Sequence, residues 1–122
     1  MRLIYHLVPR ADWERAAGGP YRADSLAAEG FIHCSNAGQV ERVANLFFAD
    51  QPELLLLCLD ATRLGDAVRD EPAAGGADNP FPGETFPHVY GPLDRSAVVA
   101  VRPLRRGPGG RWTFTPAGDA LP

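Results

Sequence analysis

The sequence contains no lysine, and all 12 of its cationic residues are arginines. This absence excludes Schiff-base chemistry, which needs a lysine amine, and phosphate binding by a P-loop lysine. Arginine is therefore the cationic side chain that is available to hold a phosphate or a carboxylate. The formal net charge is -3, so broad electrostatic binding of nucleic acid is not expected.

Long apolar runs are also missing, since no stretch approaches the length that crosses a bilayer. The first residues enter a strand pattern without the apolar region and cleavage site of a signal peptide. We therefore expect a cytoplasmic protein with no membrane partner. The two cysteines, Cys34 and Cys58, lie in apolar runs, which favours buried thiols over a disulfide. Cys34 precedes a helix start and is kept as a secondary candidate for a nucleophile.

The length of 122 residues suits one hydrophobic core, so we expect a single domain over residues 1–122. The predicted order is strand, helix, strand, helix, strand, followed by about three strands without helices. This order favours a compact α+β fold with mixed or antiparallel sheets and two or three short helices in the N-terminal half. The G-x-G-x-x-G and Walker motifs are absent, which excludes nucleotide binding by those routes.

Local patterns predict the individual elements. The apolar run at 54–59 is typical of a central strand that is covered on both faces. Asn36 and Gln39 fit a capping box, with Ser35 as an alternative cap. The apolar spacing after them predicts a helix to about residue 48 that buries Val40, Val43, Ala44 and Phe47. The other predictions are strands at 3–8, 31–34, 67–69, 97–101 and 111–114, short helices at 11–17 and 24–28, a turn at 60–65 and a long loop at 72–84.

Two details of these predictions concern the chain near the candidate site. Asp24 or Ser25 would cap the second short helix, and Gly30 would end it. Prolines at positions 80, 82, 87 and 92 predict a rigid segment around His88. Such a segment either holds a site in place or forms a rigid turn that packs Phe86 and Tyr90 on a sheet.

The three histidines of the chain each lie beside aromatic or β-branched residues. They occur in Ile4-Tyr5-His6-Leu7, in Gly30-Phe31-Ile32-His33-Cys34-Ser35 and in Phe86-Pro87-His88-Val89-Tyr90-Gly91. Any one of them could be a core histidine that bonds to a backbone carbonyl. Three neutral imidazoles could also bind zinc with one open position, but no H-x-H, H-E-x-x-H or C-x-x-C spacing is present, and we assign no metal ligand.

These same three segments, with Gln39 and the Gly91-Pro92-Leu93 continuation, resemble the uncharacterised bacterial and plant family DUF952. The resemblance covers nearly the whole chain. It implies a fold like that of the ADP-ribosyltransferase superfamily, with which the family is grouped. In that superfamily a residue on the first strand, often histidine, contacts a ribose of NAD, and a second strand and a later acidic residue complete the site.

The resemblance implies a role for each histidine. His6 takes the first-strand position, and His33 takes the second, with Ser35 beside it. His88 falls where the superfamily often has a glutamate. A neutral histidine there can bond a ribose hydroxyl but cannot supply the negative charge that stabilises an oxocarbenium-like transition state. Glu71 or Glu84 would then have to supply that charge.

Three hypotheses for the function follow. The first is an ADP-ribosyltransferase-like enzyme that acts on NAD, as a substrate, or on a nucleotide phosphate, with His6, His33 and His88 as catalytic residues in one cleft. The second is a non-catalytic module that binds a nucleotide or ADP-ribose. The third is a metal-dependent hydrolase with three histidine ligands. The residues expected to bind the ligand are Tyr5, Phe31, Ser35 and Tyr90. No cofactor is assigned, and the oligomeric state is left open.

Overall fold

The structure, a computed structural model, describes residues 1–16, 18–73 and 78–115. Its strands are β1 (Leu3–Pro9), β2 (Ile32–His33), β3 (Leu54–Asp60), β4 (Val68–Pro72), β5 (Thr85–Val89), β6 (Val98–Pro103), β7 (Arg105–Arg106) and β8 (Trp112–Thr113). Its helices are α1 (Arg10–Arg15), α2 (Asp24–Glu29), α3 (Val40–Phe47) and α4 (Ala61–Leu64). The described strands pair antiparallel throughout, so the predicted α+β class with antiparallel sheets is confirmed.

The first sheet has the strand order β1-β3-β6. Every residue of the central strand β3 is buried, because apolar side chains cover both of its faces. On β1, Ile4 and Val8 join one apolar cluster, whereas Tyr5 and Leu7 join the other. The prediction of a central strand at 54–59 is therefore confirmed, and β1 contributes to the core on both faces.

The second sheet has the order β2-β5-β4, and its central strand, β5, was not predicted from the sequence. Pro87 lies in the middle of β5, where proline normally argues against a central strand because it has no N–H to donate. The Cys34 N–H donates to the Pro87 carbonyl at 3.0 Å, and Pro87 cannot return a hydrogen bond. Paired β2 residues end at His33, so the missing donor falls where that ladder stops.

Helix α3 begins where the capping pattern predicts. The Asn36 N–H donates to Oε1 of Gln39 at 2.9 Å, which is the reciprocal hydrogen bond of a capping box. A 3-10 turn over Ala37–Gln39 leads into the helix. Val40 and Ala44 are buried as predicted, but Phe47 is 62% exposed because it is the last residue of α3 and borders an open cleft.

Other predictions were wrong in detail. Helix α2 begins after Ala23, without a side-chain cap from Asp24 or Ser25, although Gly30 ends it with φ 90° as expected. The expected turn at 60–65 contains α4, because the Asp60 side chain accepts from the Thr62 N–H at 3.0 Å and caps it. Of the predicted helix at 11–17 and loop at 72–84, residues 17 and 74–77 lie outside the described residues.

The longest described helix, α3, has eight residues, and in the described part of the chain no helix is long and apolar enough to cross a membrane. The small hairpin of β7 and β8 packs beside α3, where the Trp112 indole N–H donates to the Phe48 carbonyl at 2.9 Å. Helix α3 also borders a large cleft, to which β1, β2 and β5 contribute residues from the two sheets.

Candidate functional site

A cleft of about 670 Å³ lies between α1, α2, α3 and the two sheets. Its volume is within the range of roughly 300–1,000 Å³ that small-molecule sites occupy. One wall is apolar and carries Val43, Phe47, Phe48, Phe81 and Phe86. Polar side chains border the other parts, and all three histidines are among them.

His6 enters the cleft from β1 and is only 7% exposed. Its Nδ1 lies 2.6 Å from the His33 carbonyl oxygen, which can only accept, so Nδ1 must carry the ring proton. Burial lowers the pKa of His6 to about 4, which keeps the imidazole neutral at neutral pH. The Nε2 atom of this tautomer therefore offers a lone pair.

Tyr21 packs beside His6, with ring centroids 5.8 Å apart. The tyrosine is buried, and its backbone pairs with Leu93. Burial, together with the nearby charges of Asp12 and Asp24, raises the pKa of Tyr21 to about 12. The phenol therefore stays protonated near neutral pH.

Ser35 lies where the two sheets meet. The Tyr5 N–H donates to the Ser35 carbonyl at 2.9 Å, and the Ser35 N–H donates to the Tyr5 carbonyl at 2.7 Å. This pairing holds the segment after β2 against the edge of β1. Ser35 is 5% exposed and borders the cleft, so its position is fixed by backbone bonds that leave its hydroxyl unused.

His88 lies opposite His33 in the pairing of β5 with β2. Its Nδ1 is 2.8 Å from Oε1 of Glu71, and the same oxygen accepts a hydrogen bond from the Tyr90 hydroxyl at 2.6 Å. The hydrogen bond from Tyr90 lowers the pKa of Glu71 most, and the bond from His88 lowers it further, so the carboxylate stays ionised. The carboxylate can only accept, so Nδ1 of His88 carries a proton, and in the neutral form of the ring Nε2 is then the acceptor.

His33 differs from the other two histidines because its side chain is 49% exposed. Its Nε2 lies 2.9 Å from Oε2 of Glu29, at the end of α2. The ring also packs on Phe31 and His88, with centroid distances of 4.8 and 5.5 Å. His33 therefore borders the cleft while its side chain is engaged in a hydrogen bond with Glu29 at the surface.

Besides the Tyr21 hydroxyl, three nearly buried side chains that border the cleft each carry one unpartnered polar atom. They are Nε2 of His6, the hydroxyl of Ser35 and Nε2 of His88, in residues that are 7%, 5% and 4% exposed. Hydrogen bonds among the described residues reach none of these atoms. In the same residues, every fully buried side-chain nitrogen or oxygen has a partner, so these three atoms must meet open space.

The structure separates the other predicted ligand-binding residues from this set. Tyr5 points to the opposite side of β1 and packs against Phe114 at 5.3 Å. Phe31 stacks on the His88 ring at 4.1 Å, and Tyr90 packs on Phe31 at 5.4 Å. Within the described residues, these three aromatic side chains do not border the cleft, whereas Ser35 does.

The two acidic candidates also differ. Glu84 forms a two-pronged bond with Arg42, at 2.7 Å for each contact, and accepts from Gln39. These bonds lower the pKa of Glu84 to about 2 and hold the start of β5 against α3. Glu71 instead contacts His88 directly. The sequence did not distinguish Glu71 from Glu84, because the pairing of β4 with β5 was not predicted.

The described residues offer no support for the metal site or the cysteine nucleophile. No group of three His, Cys, Asp or Glu side chains in residues 1–16, 18–73 and 78–115 is arranged to hold a metal ion. The three-histidine zinc hypothesis was therefore wrong for these residues. Cys34 is 4% exposed, and burial strongly raises the pKa of its thiol, which opposes the thiolate that a nucleophile needs.

Comparison with known proteins places the chain in a family. The model of the family described as "Protein of unknown function (DUF952)" matches residues 7–101. The crystal structure of protein CC0527 from Caulobacter crescentus is 34% identical, with a TM-score of 0.78 over 98% of this chain and 99% of that chain. The solution NMR structure of CC0527 is 33% identical, with a TM-score of 0.73 over 99% of this chain and 97% of that chain.

Among curated proteins, none matches this chain. Neither the family description nor the descriptions of the CC0527 structures name an activity or an ADP-ribosyltransferase fold. The similarity in sequence and structure extends over nearly the full length of CC0527. The chain therefore belongs to the DUF952 family.

Proposed function

We propose that the cleft binds a ribose-bearing molecule such as NAD, ADP-ribose or a nucleoside phosphate. The observation that carries this proposal is the set of three unpartnered atoms on His6, Ser35 and His88. Two of them are imidazole lone pairs, which accept hydrogen bonds, and the third is a hydroxyl, which donates and accepts. A sugar diol supplies the hydroxyl donors that such a set requires.

The rest of the cleft suits the other parts of such a ligand. Phe81 and Phe86 belong to its apolar wall and pack edge to face at 5.0 Å, so a flat base or nicotinamide ring would meet aromatic surface there. Arg22 is exposed at the cleft and forms no ion pair or hydrogen bond among the described residues. Its guanidinium is available for a phosphate, although Asp24 borders the same region.

Isothermal titration calorimetry with NAD, ADP-ribose and nucleoside monophosphates tests the proposal. The informative variant is His6→Asn, because its amide N–H can replace the Nδ1 donor while the Nε2 acceptor is lost. We expect His6→Asn and Ser35→Ala each to weaken binding roughly tenfold, the effect of one lost hydrogen bond. Ser96→Ala is the matched control, since Ser96 is exposed and lies outside the cleft lining.

Two results would contradict the proposal. One is the absence of binding by every ribose-bearing compound at millimolar concentration. The other is unchanged affinity in both His6→Asn and Ser35→Ala, provided that each variant unfolds cooperatively like the unmodified protein. Weakening by Ser96→Ala of the same size would show that the loss at the cleft is not specific.

A second candidate function adds transfer of the ADP-ribosyl group from NAD. The observation that favours it is the hydrogen bond between His88 and Glu71. Because of this bond, only the His88 imidazole separates the Glu71 carboxylate from the cleft. In such a step, Nε2 of His88 takes the proton of an acceptor hydroxyl or water, the oxygen bonds to the ribose C1′, and the C1′–nicotinamide bond breaks with neutral nicotinamide leaving.

Release of nicotinamide, followed by chromatography, separates the two candidates. A transferase would release it with hydroxyl acceptors or water present, and His88→Asn would abolish the release. A binding module would bind NAD and leave it intact. Glu29→Gln serves as the control, because it alters the carboxylate beside His33 instead of the one beside His88.

A further inference from the structure

Glu71 makes contacts that a surface carboxylate does not need. Its Oε1 accepts from two donors, Nδ1–H of His88 and the Tyr90 hydroxyl, at 2.8 and 2.6 Å. In the register of β4 with β5, His88 is opposite Arg69, so Glu71, two residues further, lies on the same face of the sheet. The strand pairing itself therefore brings the carboxylate to the imidazole.

We infer that Glu71 is a positioning residue that keeps the His88 proton on Nδ1 and so presents the Nε2 lone pair to the cleft. Among the described residues, His88 borders the cleft and Glu71 does not. Glu71 therefore acts on the cleft through the His88 imidazole. The inference rests on the proposed function, because it explains how one of the three ligand-facing atoms is set.

The packing around His88 supports this assignment. The Phe31 ring lies on one face of the imidazole, with centroids 4.1 Å and planes 18° apart. A rotation of the imidazole by half a turn about its Cβ–Cγ bond would replace Nδ1 by a carbon atom and break the bond to Glu71. Since the His88 side chain is 6% exposed, water has little access to compensate for that loss.

The carboxylate is itself held in place. The Tyr90 hydroxyl donates to the same oxygen that His88 uses, and the Arg69 guanidinium lies 4.7 Å from the centre of the Tyr90 ring. The bonds from Tyr90 and His88 lower the pKa of Glu71, so it accepts as an anion. An anionic acceptor favours the Nδ1–H form of the imidazole, whereas a free neutral histidine side chain favours the Nε2–H form.

The tautomer can be measured directly by long-range ¹H–¹⁵N correlation spectroscopy of histidine-labelled protein without ligand, at a pH where His88 is neutral. In the unmodified protein we expect Nδ1 of His88 to be protonated. In Glu71→Leu, which removes the acceptor, we expect the ratio of the Nδ1–H to the Nε2–H form to fall roughly tenfold or more. Glu71→Gln keeps an acceptor oxygen, so it should restore the Nδ1–H form.

Two further variants make the test specific. Glu29→Leu removes the carboxylate beside His33 and should leave the His88 tautomer unchanged. Glu71→Ala removes the same acceptor as Glu71→Leu with a smaller side chain, so it replaces Glu71→Leu if that variant does not fold. Persistence of the Nδ1–H form in a folded Glu71→Leu or Glu71→Ala protein would overturn the inference.

Ligand titration separates this inference from the proposed function. We expect Glu71→Leu to weaken ADP-ribose binding roughly tenfold and Glu71→Gln to retain most of it, since only the former loses the acceptor. If the unmodified protein binds no ribose-bearing compound, the proposed function fails, whatever the tautomer measurement shows. If the unmodified protein binds ADP-ribose but the His88 tautomer is the same with and without the Glu71 carboxylate, only the positioning role fails.

Discussion

Acidification should destabilise this protein through His6. In the folded chain, burial lowers the pKa of the imidazole from 6.5 to about 4. In the unfolded chain the ring is in water, and it takes up a proton once the pH falls below about 6.5. The unfolded state therefore binds more protons than the folded state between these two values, so stability falls as the pH drops through that window.

The size of the effect follows from the difference between the two pKa values. Each unit of difference corresponds to about 1.4 kcal/mol, so the full contribution is about 3 kcal/mol. Between pH 7 and pH 5, the loss of unfolding free energy from this one residue is about 2 kcal/mol. Below about pH 4 the folded protein also binds the proton, and the loss stops growing.

Urea unfolding at pH 7, 6 and 5 measures this loss in the unmodified protein and in His6→Asn. The asparagine keeps a donor for the His33 carbonyl but does not titrate. Ionised carboxylates such as Glu84 contribute equally to both proteins, so the difference between their pH profiles isolates His6. His33→Gln is the control, because the His33 side chain is exposed and its carbonyl is retained.

A profile for His6→Asn that falls with pH as steeply as that of the unmodified protein would refute this reasoning. It would mean that the folded protein protonates His6 as readily as the unfolded chain does. The description of His6 as a buried, neutral imidazole with a free Nε2 would then be wrong. Nε2 of His6 would no longer be supported as a hydrogen-bond acceptor for the ligand.

Three further predictions concern the fold and can be checked by chemical unfolding. Leu57→Ala should cost about 2–5 kcal/mol, because Leu57 is fully buried in the central strand, whereas the exposed Val99→Ala should change stability by less than about 0.5 kcal/mol. Gln39→Ala should cost about 1–3 kcal/mol, since the buried amide donates to a β5 carbonyl at 2.9 Å and no other group replaces it. Gly30→Ala should cost about 1–2 kcal/mol because Gly30 has φ 90°, and Gly38→Ala, without a positive φ, should cost less; equal effects would contradict the conformational explanation.

The strands and helices that the sequence predicted best are those with a strong local signal. The leucine run of β3 is apolar at every position, and the capping pattern of Asn36 and Gln39 specifies the start of α3 through bonds between near neighbours. Strand β5 was missed because its defining contacts are not local. Pro87 violates the usual rule for central strands, and only the early end of β2 makes it acceptable.

The sequence identified candidate residues for the site, but it did not predict the contacts between them. The sequence identified four candidate site residues because each lies beside apolar strand residues: His6, His33, Ser35 and His88. It could not assign Glu71 to His88, since that contact depends on the register of β4 and β5. Tyr5 was expected at the ligand as an aromatic ring that could stack on a base, but its side chain packs in the core on the side of β1 away from the cleft.

The backbone pairing of Tyr5 with Ser35 couples the integrity of the cleft to the joint between the sheets. Ser35 supplies a hydroxyl to the cleft while its N–H and carbonyl tie the second sheet to the first. A local opening at this joint would remove Ser35 from the cleft and release the edge of β1 in the same event. A molecule bound to that hydroxyl would therefore stabilise the paired state of this joint and slow amide hydrogen exchange at Tyr5 and Ser35.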